Sequence, residues 1–204
     1  MRIRCISVGM LDVNCYLVWD ETAREALVVD PGDDADKVGR ELRTQGLTPT
    51  GILLTHGHVD HIRGVPDVAR AFGIPVWLHA AERELYASPQ NAILPWLPAA
   101  AGLPEPATAL PQAAGLLYRV LETPGHTPGG VSYYFAAAAT VFTGDTLFAG
   151  GIGRTDFPGG DTEALLRSIR GQLLNLPPAT VVYPGHGPAT SIGDEAGANP
   201  FLTE

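Results

Sequence analysis

Three histidines and an aspartate fall within six consecutive positions, His56-Gly57-His58-Val59-Asp60-His61, directly after a short apolar run at 51–54. No other feature limits the fold as much. On a helix, His58 and Asp60 would point to different faces. On a turn leaving a strand, all four side chains can converge on one small volume. Neutral imidazoles and a carboxylate suit zinc, iron or manganese, and several ligands from one loop lower the cost of ordering them. Gly57 is read as giving the backbone the freedom such a turn needs. Three further residues stand in equivalent places: His126 in Pro124-Gly125-His126, Asp145 in Gly144-Asp145, and His186 in Pro184-Gly185-His186-Gly187. Each follows or closes an apolar run of strand length. The sixth histidine, His79, has no glycine turn and no partner motif, and is read as structural.

The rest of the pattern is that of an α/β chain. Strands are predicted at 2–8, 15–19, 26–29, 51–54 and 75–78, and helices at 35–45, with Gly46 as its stop, and at 66–72. In the second half the expectation is strands at 116–121, 131–135, 140–142 and 181–183. A helix is predicted over 161–175, capped by Asp161 and ended by Pro177-Pro178. Strand and helix alternate in both halves, which argues for α/β layers. Residues 88–115 hold six prolines around Trp96 and read as an irregular surface segment: a lid, an oligomer contact or a plain loop. A length of 204 residues suits one domain spanning 1–204.

Composition excludes some classes of function. The formal net charge of −9 gives no general attraction to nucleic acid or to an anionic membrane. Cys5 and Cys15 are too few for a disulfide framework and are read as buried free thiols. The N-terminus lacks the apolar run of a signal peptide, and no stretch is long enough for a transmembrane helix. The expected location is the cytoplasm.

Five histidines and two aspartates are too many for one tetrahedral ion. With Asp145 as a bridge they divide into a site of three histidines and a site of two histidines plus Asp60. Two close divalent ions can deprotonate a shared water near neutral pH and hold the hydroxide against a polarised carbonyl. The reading is a hydrolase that needs no serine or cysteine nucleophile. Asp60 and Asp145 are its candidate catalytic carboxylates. The cofactors are two divalent metal ions, zinc first, with iron or manganese as alternatives.

The ordered string His56-x-His58-x-Asp60-His61, then His126, Asp145 and His186, resembles the metallo-β-lactamase-fold superfamily, and the resemblance runs from Asp30-Pro31-Gly32-Asp33 to His186. It implies a four-layer αβ/βα sandwich with the metals at one edge. It also implies that His56, His58, His126 and Asp145 bind one metal. Asp60, His61, His186 and Asp145 bind the other, and Asp30 stands behind the ligands to orient one of them. Within the superfamily, Thr143-Gly144-Asp145-Thr146-Leu147-Phe148, the string from Gly153 to Asp161, and Asn199-Pro200-Phe201-Leu202 are similar to the short bacterial glyoxalase II-like branch. That branch implies hydrolysis of a small-molecule thioester such as S-lactoylglutathione. In its pattern Arg154 stands where a basic residue holds the thiol's peptide part; the other reading of Arg154 is a salt bridge to Asp156 or Asp161. Arg63 is a weaker candidate of the same kind. Only eighteen residues follow His186, without the C-terminal helical domain of full-length glyoxalase II enzymes. The alternatives are an iron-dependent persulfide dioxygenase on His56, His126 and Asp145, or another hydrolase of the superfamily such as a lactonase.

Overall fold

The computed structural model describes residues 1–203. The chain forms two compact units, Met1–Leu116 and a second from Leu117 onward.

The first unit is built on one five-stranded sheet in the order β1-β2-β3-β4-β5. Its strands are β1 (Arg2–Val8), β2 (Val13–Trp19), β3 (Glu25–Val29), β4 (Thr48–Leu53) and β5 (Val76–Trp77). β1, β2 and β3 are antiparallel neighbours, whereas β3, β4 and β5 run parallel. Parallel neighbours need crossovers. Helix α1 (Ala35–Thr44) supplies the first, and α2 (Val59–Ile62) with α3 (Val65–Phe72) the second. Val38 and Leu42, four apart on α1, bury fully against Leu17, Val28 and Ile52 of the sheet and Val65 and Val68 of α3. Each such side chain contributes about 1.5–3 kcal/mol on burial. Gly46 and Gly73 follow α1 and α3 in the left-handed region, Gly46 at the stop that the sequence predicted. After β5 a 3-10 turn (Ala80–Glu82) leads into the short helix α4 (Arg83–Ala87).

The segment 88–115 holds a 3-10 turn at Pro89–Asn91 and no strand. Leu94 and Trp96 stand out to solvent. One expectation fails: Cys5 is exposed, and only Cys15 is buried. They sit at adjacent registers of the β1–β2 ladder, Cys5 opposite Tyr16 and Cys15 opposite Ile6. Cys5 lies on the solvent face of an edge strand, where period-2 alternation overrides the apolar character of the residue.

The second unit holds the sheet β12-β11-β8-β7-β6 and a separate hairpin β9–β10. Its elements are β6 (Arg119–Glu122), β7 (Val131–Phe135), β8 (Thr140–Gly144), β9 (Leu147–Phe148), β10 (Gly151–Ile152), α5 (Thr162–Ser168), β11 (Val181–Pro184), β12 (Thr190–Ser191) and α6 (Ile192–Ala198). β8 and β11 are parallel, and the other ladders are antiparallel. The strand expected from 116 begins only at Arg119. The helix expected over 161–175 is α-helical to Ser168 and continues as a π-helical turn at Ile169–Leu173. Leu165, Ile169 and Leu173 are all fully buried, so the widened turn keeps the apolar stripe on the core. Among the described residues, no helix is long and apolar enough to cross a membrane.

Candidate metal centre

In the first unit the candidate ligands collect where two parallel strands end. β3 and β4 finish side by side, Val29 opposite Leu53. Asp30 follows the first and Thr55-His56 the second, and the Asp30 N–H donates to the Leu53 carbonyl at 3.1 Å. His56, His58, Asp60 and His61 are all buried. The His56 ring lies 4.9 Å from that of His58 and 4.2 Å from that of His61, centroid to centroid. Gly32 lets the Asp30 turn close onto α2, for a Cβ there would lie 1.7 Å from the Asp60 carbonyl oxygen.

Asp30 is the hub behind these rings. It is 1 % exposed. Its Oδ1 accepts the Thr55 N–H at 2.8 Å, and its Oδ2 accepts the Thr55 hydroxyl at 2.7 Å. Oδ2 is also 3.0 Å from His61 Nδ1, and Thr55 Oγ1 is 3.0 Å from His56 Nδ1. A hydroxyl has one proton, and here it goes to Asp30. The His56 contact therefore requires His56 Nδ1 to donate, and the carboxylate requires the same of His61 Nδ1. Both neutral rings then present Nε2 as a lone pair, the form in which a histidine ligates a metal. His61 Nε2 is 3.8 Å from Asp60 Oδ2.

In the second unit the same device recurs. β8 and β11 run parallel with Gly144 opposite Pro184, and the Gly185 N–H donates to the Gly144 carbonyl at 2.8 Å. Asp145 and His186 therefore leave neighbouring strands at the same end. His126 is seated on the start of α5. The Gly125 carbonyl accepts the Asp161 N–H at 2.8 Å, and the Ser168 hydroxyl donates to the Pro124 carbonyl at 2.7 Å. Gly125 has φ +135°, and a Cβ there would lie 2.2 Å from the Leu165 nitrogen, so no other residue fits. His126 Nδ1 lies 2.7 Å from the Arg154 carbonyl, which can only accept, so this ring too presents Nε2.

His126 Nε2 and His186 Nε2 lie 3.7 and 3.6 Å from the same oxygen, Asp145 Oδ2. These spans exceed a hydrogen bond. They approach the separation of about 3.4 Å between two tetrahedral ligands each bound to one ion at about 2.1 Å. A single carboxylate oxygen facing two imidazoles has the donor chemistry of a bridging ligand. The residues in both units thus fit divalent metal ions.

Arg154 grips Asp156 through Nε and Nη2 at 2.7 and 2.6 Å and lies 3.9 Å above the Phe157 ring. These charge-assisted hydrogen bonds pull the Asp156 carboxyl down to about 2. Asp161 instead caps α5, accepting the Ala164 N–H at 2.9 Å. Arg63 Nε is 3.7 Å from Asp33. His79 caps the 3-10 turn after β5, accepting the Ala81 N–H at 3.4 Å, the structural role expected of it. Gly57 does not have a positive φ. Its value is space: a Cβ would meet the Tyr86 nitrogen at 3.1 Å and Glu82 Oε2 at 3.3 Å.

Glu82 is the residue that sequence reasoning missed. It is fully buried, and its Oε2 accepts the Gly57 N–H at 2.8 Å, between two candidate ligands. Glu82→Ala leaves that donor unsatisfied, which costs about 1–3 kcal/mol. Urea unfolding of the metal-free protein is expected to register the loss; an unchanged midpoint and slope would remove Glu82 from the account.

The match of the family model described as "Metallo-beta-lactamase superfamily" spans residues 8–186. The chain is 41% identical to the "Probable metallo-hydrolase YqgX" of Bacillus subtilis, covering 99% of this chain and 98% of that one. It is 37% identical to the "Hydroxyacylglutathione hydrolase GloC" of Haemophilus influenzae, with the same coverage. Among solved structures, the BLEG-1 B3 metallo-beta-lactamase matches at TM-score 0.90 and 40% identity, with both chains fully covered. TTHA1623 in a di-iron-bound form matches at TM-score 0.84 and 41% identity, over 98% of this chain and 100% of that one. ETHE1 from Myxococcus xanthus matches at TM-score 0.76 and 31% identity, over 98% and 84%. The fold is that of the metallo-β-lactamases, and with its family model matched over most of its length the chain belongs to the metallo-β-lactamase superfamily.

Proposed function

We propose that this protein hydrolyses a small-molecule thioester of the S-lactoylglutathione type, using two divalent metal ions. In this reading His56, His58, His126 and Asp145 hold one ion, and Asp60, His61, His186 and Asp145 the other. The observation that carries the substrate class is the 37% identity, over nearly the whole chain, to the Hydroxyacylglutathione hydrolase GloC. The di-iron-bound form of TTHA1623 supports two ions, with zinc, iron and manganese all compatible with this donor set. Bound ions of this kind polarise a carbonyl and bring a water's pKa toward neutrality. The chain's own part is to hold the ligands. Asp30, Thr55 and the Arg154 carbonyl fix three imidazole tautomers, and Asp60 and Asp145 supply the negative charge that offsets the ions. A net charge of −9 suits a small-molecule substrate better than nucleic acid or a membrane surface, and we assign the protein to the cytoplasm. The test is thiol release from S-lactoylglutathione by protein loaded in turn with zinc, iron and manganese. Release with no metal would overturn the assignment.

The likeness to ETHE1 supports a second reading, an iron-dependent persulfide dioxygenase. Oxygen uptake with glutathione persulfide, in protein that releases no thiol from the thioester, would favour it.

Arg154 is proposed to receive the thiol's carboxylate. Asp156 competes for the same guanidinium, and its lowered pKa keeps it ionised at neutral pH. Asp156→Asn is therefore expected to lower KM and Arg154→Ala to raise it, with kcat little changed in both. Steady-state kinetics decides: KM unmoved in both variants leaves Arg154 a structural residue.

A further inference from the structure

We infer that the C-terminal segment is a clamp that positions Asp145 and His126, acting through Glu195 and Asn199 on the β9–β10 hairpin, which joins Asp145 to the support of His126. The inference rests on the proposed ligand roles of those two residues.

Glu195 and Asn199 lie one turn apart at the end of the chain and are buried, at 4 % and 0 % exposure. A carboxylate so buried is costly unless its oxygens are hydrogen-bonded, and here both are. Oε1 accepts the Thr190 hydroxyl at 2.7 Å. Oε2 accepts the Gly150 N–H at 2.9 Å and Asn199 Nδ2 at 2.7 Å. Asn199 Nδ2 also donates to the Gly151 carbonyl at 3.0 Å, and its Oδ1 accepts the Phe201 N–H at 3.1 Å. Two side chains thus hold the Gly150 N–H and the Gly151 carbonyl at the tip of the β9–β10 hairpin. That hairpin has only two residue pairs. A ladder so short is marginal alone, so its position depends on what grips it.

The hairpin is what joins Asp145 to the support of His126. It starts two residues after Asp145, and the Thr143 hydroxyl donates to the Leu147 carbonyl at 3.0 Å. On its exit Gly153 lies flat on the Asp145 peptide, where a Cβ would come within 1.8 Å of the Asp145 carbonyl oxygen. The next residue is Arg154, whose carbonyl fixes the His126 tautomer. A shift of the tip moves this carbonyl and the backbone of Asp145 together. The Asn199-Pro200-Phe201-Leu202 motif acquires a task by the same reasoning: the turn it makes aims the Asn199 amide at the hairpin.

The full chain loaded with zinc tests the clamp by two readouts. One is zinc affinity by chelator competition. The other is the His126 Nδ1–H proton resonance, identified by its loss in His126→Ala. Glu195→Ala is expected to weaken zinc binding about 10-fold, as loss of a ligand's support does, and to broaden the His126 resonance. Glu195→Gln keeps an acceptor for Gly150 and Asn199, and is expected to restore both. Wild-type affinity and a sharp resonance in Glu195→Ala would overturn the clamp, and so would a Glu195→Gln protein as impaired as Glu195→Ala. If Glu195→Ala does not fold, Thr190→Val removes only the bond to Oε1. Faster solvent exchange of the His126 proton is then expected, and an unchanged rate overturns the proposal. The proton is also read in metal-free protein, so a failure of the clamp is distinguishable from a failure of the metal reading.

Discussion

Asp145→Ala is expected to abolish thiol release, by at least about 10³-fold in kcat, and to lower the metal content of the purified protein. A few kcal/mol of lost transition-state stabilisation suffices for that factor. The argument is geometric. One oxygen of Asp145 faces both His126 Nε2 and His186 Nε2, at 3.7 and 3.6 Å. Truncation therefore removes a donor from both proposed ions at once, whereas loss of one histidine removes a donor from only one. The fold is expected to tolerate the change. Asp145 lies just past the end of β8, is partly exposed, and contributes no apolar surface to the core around Leu147 and Leu165. Metal analysis and thermal unfolding of the metal-free protein, done together, separate a lost ligand from a lost fold. A fully active Asp145→Ala protein would sink the two-metal mechanism.

What the sequence revealed, and what it hid, follows from the range of the interactions. The ligand string was legible because four candidate side chains fall within six positions, although only His56 and His58 leave on the turn expected for all four, while Asp60 and His61 stand on α2. The strands that deliver it were legible as apolar runs with glycine or proline at their ends, and β1, α1 and α3 fall close to their expected bounds. Glu82 was not legible. It meets Gly57 across 25 residues, and Ala-Ala-Glu-Arg reads locally as a solvated helix start. Glu195 is the same case, reaching Gly150 across 45 residues from a polar, glycine-containing helix. A buried carboxylate is decided by tertiary approach, and no periodicity announces it. The π-helical turn was hidden for a different reason. Its residues Ile169 and Leu173 keep the i, i+4 spacing of an ordinary helix, so the stripe is right while the backbone winding differs. Asp30 lies between these extremes. Its place at a strand end was legible through resemblance, but its bonds to Thr55 and His61 became visible only in the structure.

Those bonds make Asp30→Asn the most discriminating single-atom change available in the first unit. Asp30 sits at φ +47°. Asn tolerates that left-handed conformation as well as Asp does, so the backbone is not strained and the shape is preserved. The hydrogen bonds are not. Three donors converge on this carboxylate: the Thr55 N–H on Oδ1, and the Thr55 hydroxyl and His61 Nδ1 on Oδ2. An amide offers one oxygen and one NH₂. With the NH₂ at the Oδ1 position it opposes the Thr55 N–H, donor against donor. With the NH₂ at the Oδ2 position it must donate to His61 Nδ1 or to the Thr55 hydroxyl. The first moves the His61 proton to Nε2, the nitrogen that the proposed metal requires. The second turns the hydroxyl around and moves the His56 proton in the same sense. Each arrangement opposes a ligand tautomer or leaves a buried donor without an acceptor. In serine hydrolases the equivalent exchange of Asp for Asn lowers kcat by about 10⁴ through the wrong tautomer, with geometry intact. Here the expectation is a metal affinity about 10–100-fold weaker, read by chelator competition. Asp30→Ala should differ in kind: it deprives all three donors at once, at about 1–3 kcal/mol for each donor left unsatisfied. It should therefore shift urea unfolding of the metal-free protein, which Asp30→Asn should shift less. Wild-type metal affinity in Asp30→Asn would mean that the tautomers of His56 and His61 are set by something other than Asp30.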